Sequence, residues 1–235
     1  MRLDKELDRI RKAYDLTVEQ HGRGIDPFDT LPEDFKNSSD FIAFRKEMEA
    51  KKCSSSDPEI EEYLKPASGM RFLDVGCCAN LANYRLDRWP STYYGIDISP
   101  ALIRAMEKFV SRENISIGGL WVADVANLPF DDNFFDIVSM IGVLEYCTIE
   151  YCKRALQELH RVMKGQAKMV LDIPNLEHPY VSVMFQLEEY LERPNIPKSR
   201  STFKRILTPL YTIERADDSQ VMLKYFIRST KMRVN

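Results

Sequence analysis

Residues 71–100 read RFLDVGCCANLANYRLDRWPSTYYGIDISP, and this stretch decides the fold. Phe72 to Val75 is a short, mostly apolar run that stops at Gly76, and a helical stretch follows. Thr92 to Ile96 is a second such run, ending in Asp97. Strand, tight turn, helix, strand and then an acid about 20 positions past the turn is the opening of a nucleotide-binding α/β unit. Glycine at the turn lets backbone approach a ligand closely, and a carboxylate placed like Asp97 can accept both hydroxyls of a ribose. The turn is unusual in one respect: Cys78 and Asn80 stand where such turns often carry further glycines.

Working outward, the chain after residue 70 alternates strand and helix. Strands are expected at 71–75, 92–96, 119–123, 135–139 and 167–173, with helices at 80–88, 99–110 and 148–163. Strands apolar on both faces and separated by helices indicate a parallel sheet covered on both sides. The end of the chain differs. Leu210 to Ala216 and Val221 to Ser229 are β-rich and joined by the short polar turn DDSQ, which leaves no room for a helical crossover. They are expected to form an antiparallel hairpin at the sheet edge. The expected architecture is therefore a doubly wound, Rossmann-like α/β sheet of seven strands with the last one antiparallel.

Residues 1–66 read as a helical extension in front of a domain at 67–235. Leu3, Leu7, Ile10 and Tyr14 recur at helical spacing, GRGIDPFDTLPED (22–34) reads as a loop, and Phe41 to Lys51 as a second helix. A third helix begins at Pro58, with Ser56 or Asp57 as its N-cap. An insert at 176–209 is the other segment available to cover an acceptor site. Its apolar residues Val183, Phe185, Leu187, Tyr190 and Leu191 suit core packing best, and an apolar lid second.

Composition narrows the function. The chain has 235 residues, 44% hydrophobic and 29% charged, and a net charge of -3, which gives no general affinity for nucleic acid or anionic membranes. No apolar run reaches membrane-spanning length, and the charged start MRLDKELDRIRKAY lacks a signal-peptide core, so a soluble cytoplasmic protein is expected. Five cysteines without a C-x-x-C pair suggest neither a disulfide framework nor a zinc site.

Three candidate sites fall at strand C-termini, where open α/β sheets bind ligands. They are Asp74-Val75-Gly76-Cys77-Cys78, then Asp97, then Asp124 in WVADVANLPF. One acid at a strand end is often only a cap or a turn former. Three in order, spaced by successive βα units, are harder to explain that way.

With these segments the chain resembles the class I S-adenosylmethionine-dependent methyltransferases of the group that modifies small molecules. The resemblance lies in FLDVGCCAN, YYGIDISPALI, ADVANLPFDDNFFDIVSMIGVLEY and ALQELHRVMKGQAKMVLDIPN, together with the terminal hairpin. It implies that Asp74, Gly76, Cys77 and Cys78 form the turn around the methionine part of S-adenosylmethionine. It implies ribose binding by Asp97 and contact of Asp124 with the adenine amino group. Ile98 and Val125 would flank the adenine, Met140 and Ile141 would line the pocket beyond the fourth strand, and Tyr14 would lie over the cofactor as part of a lid. Packing of Tyr14 on its own helix stripe is the equally simple alternative.

The turn itself departs from the family form D-x-G-x-G-x-G, reading D-V-G-C-C-A-N. Asn80 is the milder change, because Asn tolerates positive φ. Cys78 adds a Cβ and a sulfur where backbone normally meets cofactor, so a reshaped loop is expected.

The implied reaction, in-line transfer of an activated methyl group to a small molecule, needs a general base only when the acceptor must lose a proton. Candidates are Glu145, Tyr146 and His178, against plain helix-start and solvated-loop readings. Arg193 to Arg205 is a basic stretch whose simplest reading is a solvated helix face, with RNA contact the sharper alternative. The rival functions are a non-catalytic cofactor-binding protein, an RNA methyltransferase and a nicotinamide-dependent dehydrogenase.

Overall fold

The computed structural model describes residues 5–52 and 58–232. The sheet has the order β3-β2-β1-β4-β5-β7-β6. Its strands are β1 (Arg71–Val75), β2 (Thr92–Asp97), β3 (Gly119–Val122), β4 (Phe135–Met140), β5 (Met163–Pro174), β6 (Tyr211–Asp217) and β7 (Met222–Ser229). The first five pair in parallel, while β7 runs antiparallel to both β5 and β6. The terminal hairpin thus closes one edge, as its short polar turn requires.

The helices are α1 (Lys5–Gly22), α2 (Glu33–Lys36), α3 (Ser39–Lys52), α4 (Pro58–Leu64), α5 (Asn80–Tyr84), α6 (Pro100–Glu113), α7 (Ile149–Val162), α8 (Val181–Tyr190) and α9 (Arg200–Leu207). Ser99, Thr148 and Ser199 cap α6, α7 and α9 by accepting from a backbone N–H in the first turn. The N-cap expected at Ser56 or Asp57, and Leu3 of the first helical stripe, lie outside the described residues.

Central strands are buried on both sides, and two apolar layers cover them. One packs Leu73, Val138 and Met169 against α7 and α9, through residues such as Leu156, Leu159 and Phe203. The other packs Phe72, Ile137 and Phe226 against Leu64, Leu81, Trp89 and Met106. A third cluster joins Phe35, Phe41 and Phe44 to Val183, Met184 and Leu187. The N-terminal segments therefore go three ways: α2 and α3 onto α8, α4 onto a sheet face, and α1 across the C-terminal ends of the strands.

Several local features differ from the sequence-based expectation. The stretch 22–34 contains a 3₁₀ turn, Pro27–Thr30, with Asp26 accepting from Phe28 N. The helix expected over 80–88 breaks at Arg85, which takes φ 51°, and resumes as a 3₁₀ turn, Leu86–Arg88. Strand β5 begins at Met163 rather than 167, with a register shift against β4 and Gln166 at φ 64°. Among the described residues no helix is long and apolar enough to cross a membrane.

Candidate active site

A cavity of about 200 Å³ opens at the C-terminal ends of β1, β2 and β4. Its floor is the turn after β1. Gly76 takes φ 67°, and a Cβ there would meet Val143 Cγ2 at 2.4 Å, so only glycine fits under the segment that follows β4. Cys77 N–H donates to Ile96 O at 2.9 Å, tying the turn to the end of β2. The Cys77 side chain is fully buried and packs beneath the turn, close to where a Gly95 Cβ would lie.

Cys78 is the strained member, with φ 39°. Its side chain lines the cavity, and burial beside Asp97 pushes the thiol up to about 11. It is therefore an uncharged wall of the site. Asn80, the milder departure from the glycine pattern, does not adopt positive φ. It opens α5 and donates its amide to Asp74 at 3.3 and 3.4 Å.

Asp74 does not line the cavity. It is a hub underneath it, accepting from Ser139 Oγ at 2.8 Å and Tyr93 OH at 2.9 Å as well as from Asn80. Complete burial pushes its carboxyl up to about 6 in spite of those donors.

Asp97 does reach the cavity. Cys78 N–H donates to its Oδ2 at 3.0 Å and Ser99 N–H to its Oδ1 at 2.9 Å. Burial raises its pKa, and these backbone donors oppose the rise. Each oxygen keeps accepting capacity for a further hydroxyl. Ile98, Val125 and Ile141 line the apolar walls with Val75, Ile96 and Ala123.

Asp124 lies outside the cavity wall, although its neighbours Ala123 and Val125 are in it. Its Oδ1 accepts from Ala126 N at 2.8 Å and from the Tyr151 hydroxyl in a short hydrogen bond. It acts as a turn former whose partner, Tyr151, is the residue that lines the site. Met140 is likewise fully buried in the core, and the cavity-facing residue is Ile141.

The roof comes from α1 and from segments far along the chain. Leu7, Ile10 and Tyr14 of α1 line the cavity. Helix α1 is pinned by Asp15, whose Oδ1 accepts from Ser99 Oγ at 2.5 Å and from Ala101 N at 3.2 Å at the start of α6. Tyr14 OH lies 3.2 Å from Tyr146 OH, and Tyr146 OH donates to Glu188 Oε2 at 3.0 Å. The Arg193 guanidinium sits 4.6 Å from the Tyr14 ring centroid and pairs with Glu188, Nε to Oε2, at 3.0 Å.

Of the three general-base candidates, only Tyr146 lines the cavity. Glu145 is buried and absent from the cavity wall, and burial and the nearby Asp172 hold its carboxyl well above the usual range. His178 is also absent from the cavity wall. Its Nδ1 accepts from Tyr180 N at 3.3 Å and its Nε2 lies 3.9 Å from Glu47 Oε1. The basic stretch does not form one solvated face either. Arg193 is held by Glu188, Lys198 is buried with its Nζ on Ile196 O, and Arg200 pairs with Asp218, leaving Lys204 and Arg205 exposed.

Residues 73–171, which hold this floor and its supporting strands, match the model of the methyltransferase domain family. That match is a similarity of this segment to methyltransferase domains, and it falls on the strands and turn that build the cavity floor. A 2-phytyl-1,4-naphtoquinone methyltransferase from Nostoc punctiforme is 36% identical over 125 residues, covering 51% of this chain and 54% of that one. A tRNA (carboxymethyluridine(34)-5-O)-methyltransferase from Arabidopsis thaliana is 29% identical over 175 residues, covering 71% of this chain and 41% of its own length. The chain thus spans about half the length, or less, of these curated relatives. Among solved structures, a protein from Pyrococcus horikoshii superposes with a TM-score of 0.63 at 16% identity, over 86% of this chain and 97% of that one. The shared fold is a sheet with the reversed strand β7 near one edge, as the hairpin reading requires.

Proposed function

We propose that the protein transfers a methyl group from S-adenosylmethionine to a small-molecule acceptor. The observation that supports this most is the pairing of Gly76 and Asp97 across one cavity. Backbone can approach a ligand at the first, and a buried carboxylate is aimed into the same space at the second. Cys78 and Asp97 would hold the two ends of the nucleoside and methionine portions, with Ile98 and Val125 on either side of the base. Bound there, S-adenosylmethionine supplies an already activated methyl group, so the chain's own residues need mainly to position and to exclude water. Tyr14 and α1 close the site from above.

The apolar wall of Leu7, Ile10, Val143 and Ile141 suits an acceptor with a hydrophobic body. The names of the relatives support small-molecule acceptors of the quinone kind more than RNA. The basic stretch 193–205, which would carry an RNA reading, has its first members buried in ion pairs and carbonyl contacts. RNA binding that is tight and strongly salt-dependent, the mark of the rival reading, is accordingly not expected.

Isothermal calorimetry with S-adenosylmethionine tests the reading directly. Asp97→Asn should bind it roughly 10- to 100-fold more weakly, the loss of a charge-assisted hydrogen bond worth about 1.5–3 kcal/mol. If wild-type protein shows no heat of binding at millimolar cofactor, methyl transfer is the wrong function.

A further inference from the structure

We propose that Tyr14, Tyr146 and Glu188 form a proton relay that takes the proton of a hydroxylic methyl acceptor, with Tyr14 Oη as the open end facing the cavity. The proposal rests on the methyl-transfer reading above and adds to it the acceptor class: a phenol, quinol or enol that must lose a proton as it is methylated.

The direction of the relay follows from which atoms can donate. An ionised Glu188 can only accept, so Tyr146 spends its single proton on Oε2, at 3.0 Å. The Tyr146 oxygen can then take part in the 3.2 Å contact with Tyr14 only as acceptor. Tyr14 therefore donates inward, and its own oxygen lone pairs are left for an incoming O–H. Both tyrosines line the cavity, whereas Glu188 sits behind them on α8. Its side chain is 16% exposed, which gives the relay an outlet to water.

Other groups hold this arrangement. Arg193 donates from Nη2 to Glu188 Oε1 at 3.3 Å, and its Nε lies 3.0 Å from Oε2 as an ion-pair contact without hydrogen-bond geometry. The groups facing Glu188 are Arg193, Tyr146, Tyr14 behind it and, from the segment after β4, Glu145. Burial raises the Glu188 carboxyl, opposed by Arg193 and the Tyr146 hydroxyl. A carboxylate of raised basicity is the better proton sink.

The step balances without a co-reactant. The acceptor oxygen forms its bond to the methyl carbon as its O–H bond breaks, and the electron pair of the old carbon–sulfur bond stays on sulfur. The acceptor proton goes to Tyr14 Oη, the Tyr14 proton to Tyr146, and the Tyr146 proton to Glu188. One positive and one negative charge disappear from the site together, and no phenolate has to persist on either buried tyrosine.

The test uses the full chain with catechol as the probe acceptor, and follows binding and turnover separately. Catechol should bind the S-adenosylhomocysteine-loaded protein, and Tyr14→Phe should weaken that binding about tenfold. Tyr146→Phe cuts the relay yet leaves the Glu188–Arg193 pair intact. With Glu188→Gln, it should bind catechol within a few-fold of wild type but methylate it at least 100-fold more slowly near neutral pH, within the range of general-base effects. The rates of both variants should climb tenfold per pH unit as catechol ionises by itself, while the wild-type profile stays flatter. Glu188→Asp should restore part of the rate. A purely structural latch would instead shift stability and binding and leave the pH profile unchanged. Absence of catechol binding, binding without methylation in the wild type, or variant profiles parallel to wild type each overturn the relay. None of them touches the cofactor reading, which stands or falls on calorimetry with S-adenosylmethionine alone.

Discussion

Asp97 and Tyr14 border the same cavity, but they arrive there by different means. Asp97 is delivered by backbone register: β1 pairs with β2 residue for residue, Val75 opposite Ile96, and the next turn closes on Ile96 O. Tyr14 is delivered by side chains of α1, through its own contact with Tyr146 and through the neighbouring Asp15 on Ser99 and on the Ala101 N–H. A floor made of strand ends is as stable as the sheet. A roof held by side-chain contacts between distant segments, apolar ones such as buried Leu7 and Ile10 included, can open while the sheet stays folded, because local opening costs only the contacts that break. The difference suits the proposed methyl transfer, which would need a fixed cofactor platform and a way to admit and release the acceptor.

The floor breaks most severely at Gly76. Gly76→Ala combines positive φ, costing about 1–2 kcal/mol, with overpacking against Val143, costing about 1–3 kcal/mol. The unfolding midpoint in urea should fall by an amount equivalent to roughly 2–5 kcal/mol. Adding Val143→Ala should recover the overpacking part and leave the backbone part, a non-additivity that a double-mutant cycle reads directly. If Gly76→Ala unfolds at the wild-type urea concentration, the close approach of the two segments is not what holds the floor.

Asp74 sharpens the comparison through pH. Folding raises its carboxyl to about 6, whereas in the unfolded chain it titrates near the ordinary value of 3.8. Between those values the native state keeps a proton that the unfolded chain has released. Its contribution to stability is therefore fully present below about pH 4 and is lost as pH rises through 6. Asp74→Asn carries no titrating group, so between pH 4 and 7 its stability should fall less steeply than wild type, by on the order of 1–3 kcal/mol across the interval. Denaturant melts at several pH values would decide it, and parallel curves for the two proteins would rule out Asp74 as the source of the slope.

This contrast also explains what the sequence could tell. The strands and the crossover helices follow from local hydrophobic runs, and their bounds emerge within a few residues. The departures occur at Arg85 and Gln166, where non-glycine residues take positive φ without any sequence signal. In the site, Gly76 and Asp97 are legible because strand-end position alone puts them there. Asp124 is not, since the same residue type at the same kind of position can cap a turn, and Tyr151 completes that alternative. At the end of β4 the one-residue alternation decides between Met140 in the core and Ile141 in the wall. The roof was the least legible part. Glu188 lies 42 residues from Tyr146 on a helix with no motif, and Arg193 reads as one more member of a basic run. Their pairing is a tertiary fact that no periodicity encodes.

Cys78 carries the smallest effect and the finest test, because it belongs to the floor by backbone and to the cavity by side chain. At φ 39° its conformation is one that glycine adopts without strain. Cys78→Gly removes a backbone penalty of about 1–2 kcal/mol but frees the unfolded chain by about 0.4–1 kcal/mol. A net gain of about 0–1.6 kcal/mol is expected, read as a rise of at most a few degrees in melting temperature. The Cys78 N–H that donates to Asp97 is retained in glycine, so the carboxylate should stay aimed at the cavity. With the uncharged thiol gone from the wall, S-adenosylmethionine should bind at least as tightly as to wild type. Weaker binding by Cys78→Gly in calorimetry would reverse the sign: the sulfur would then be a packing surface for the ligand, and the strain at residue 78 would be the cost of placing it there.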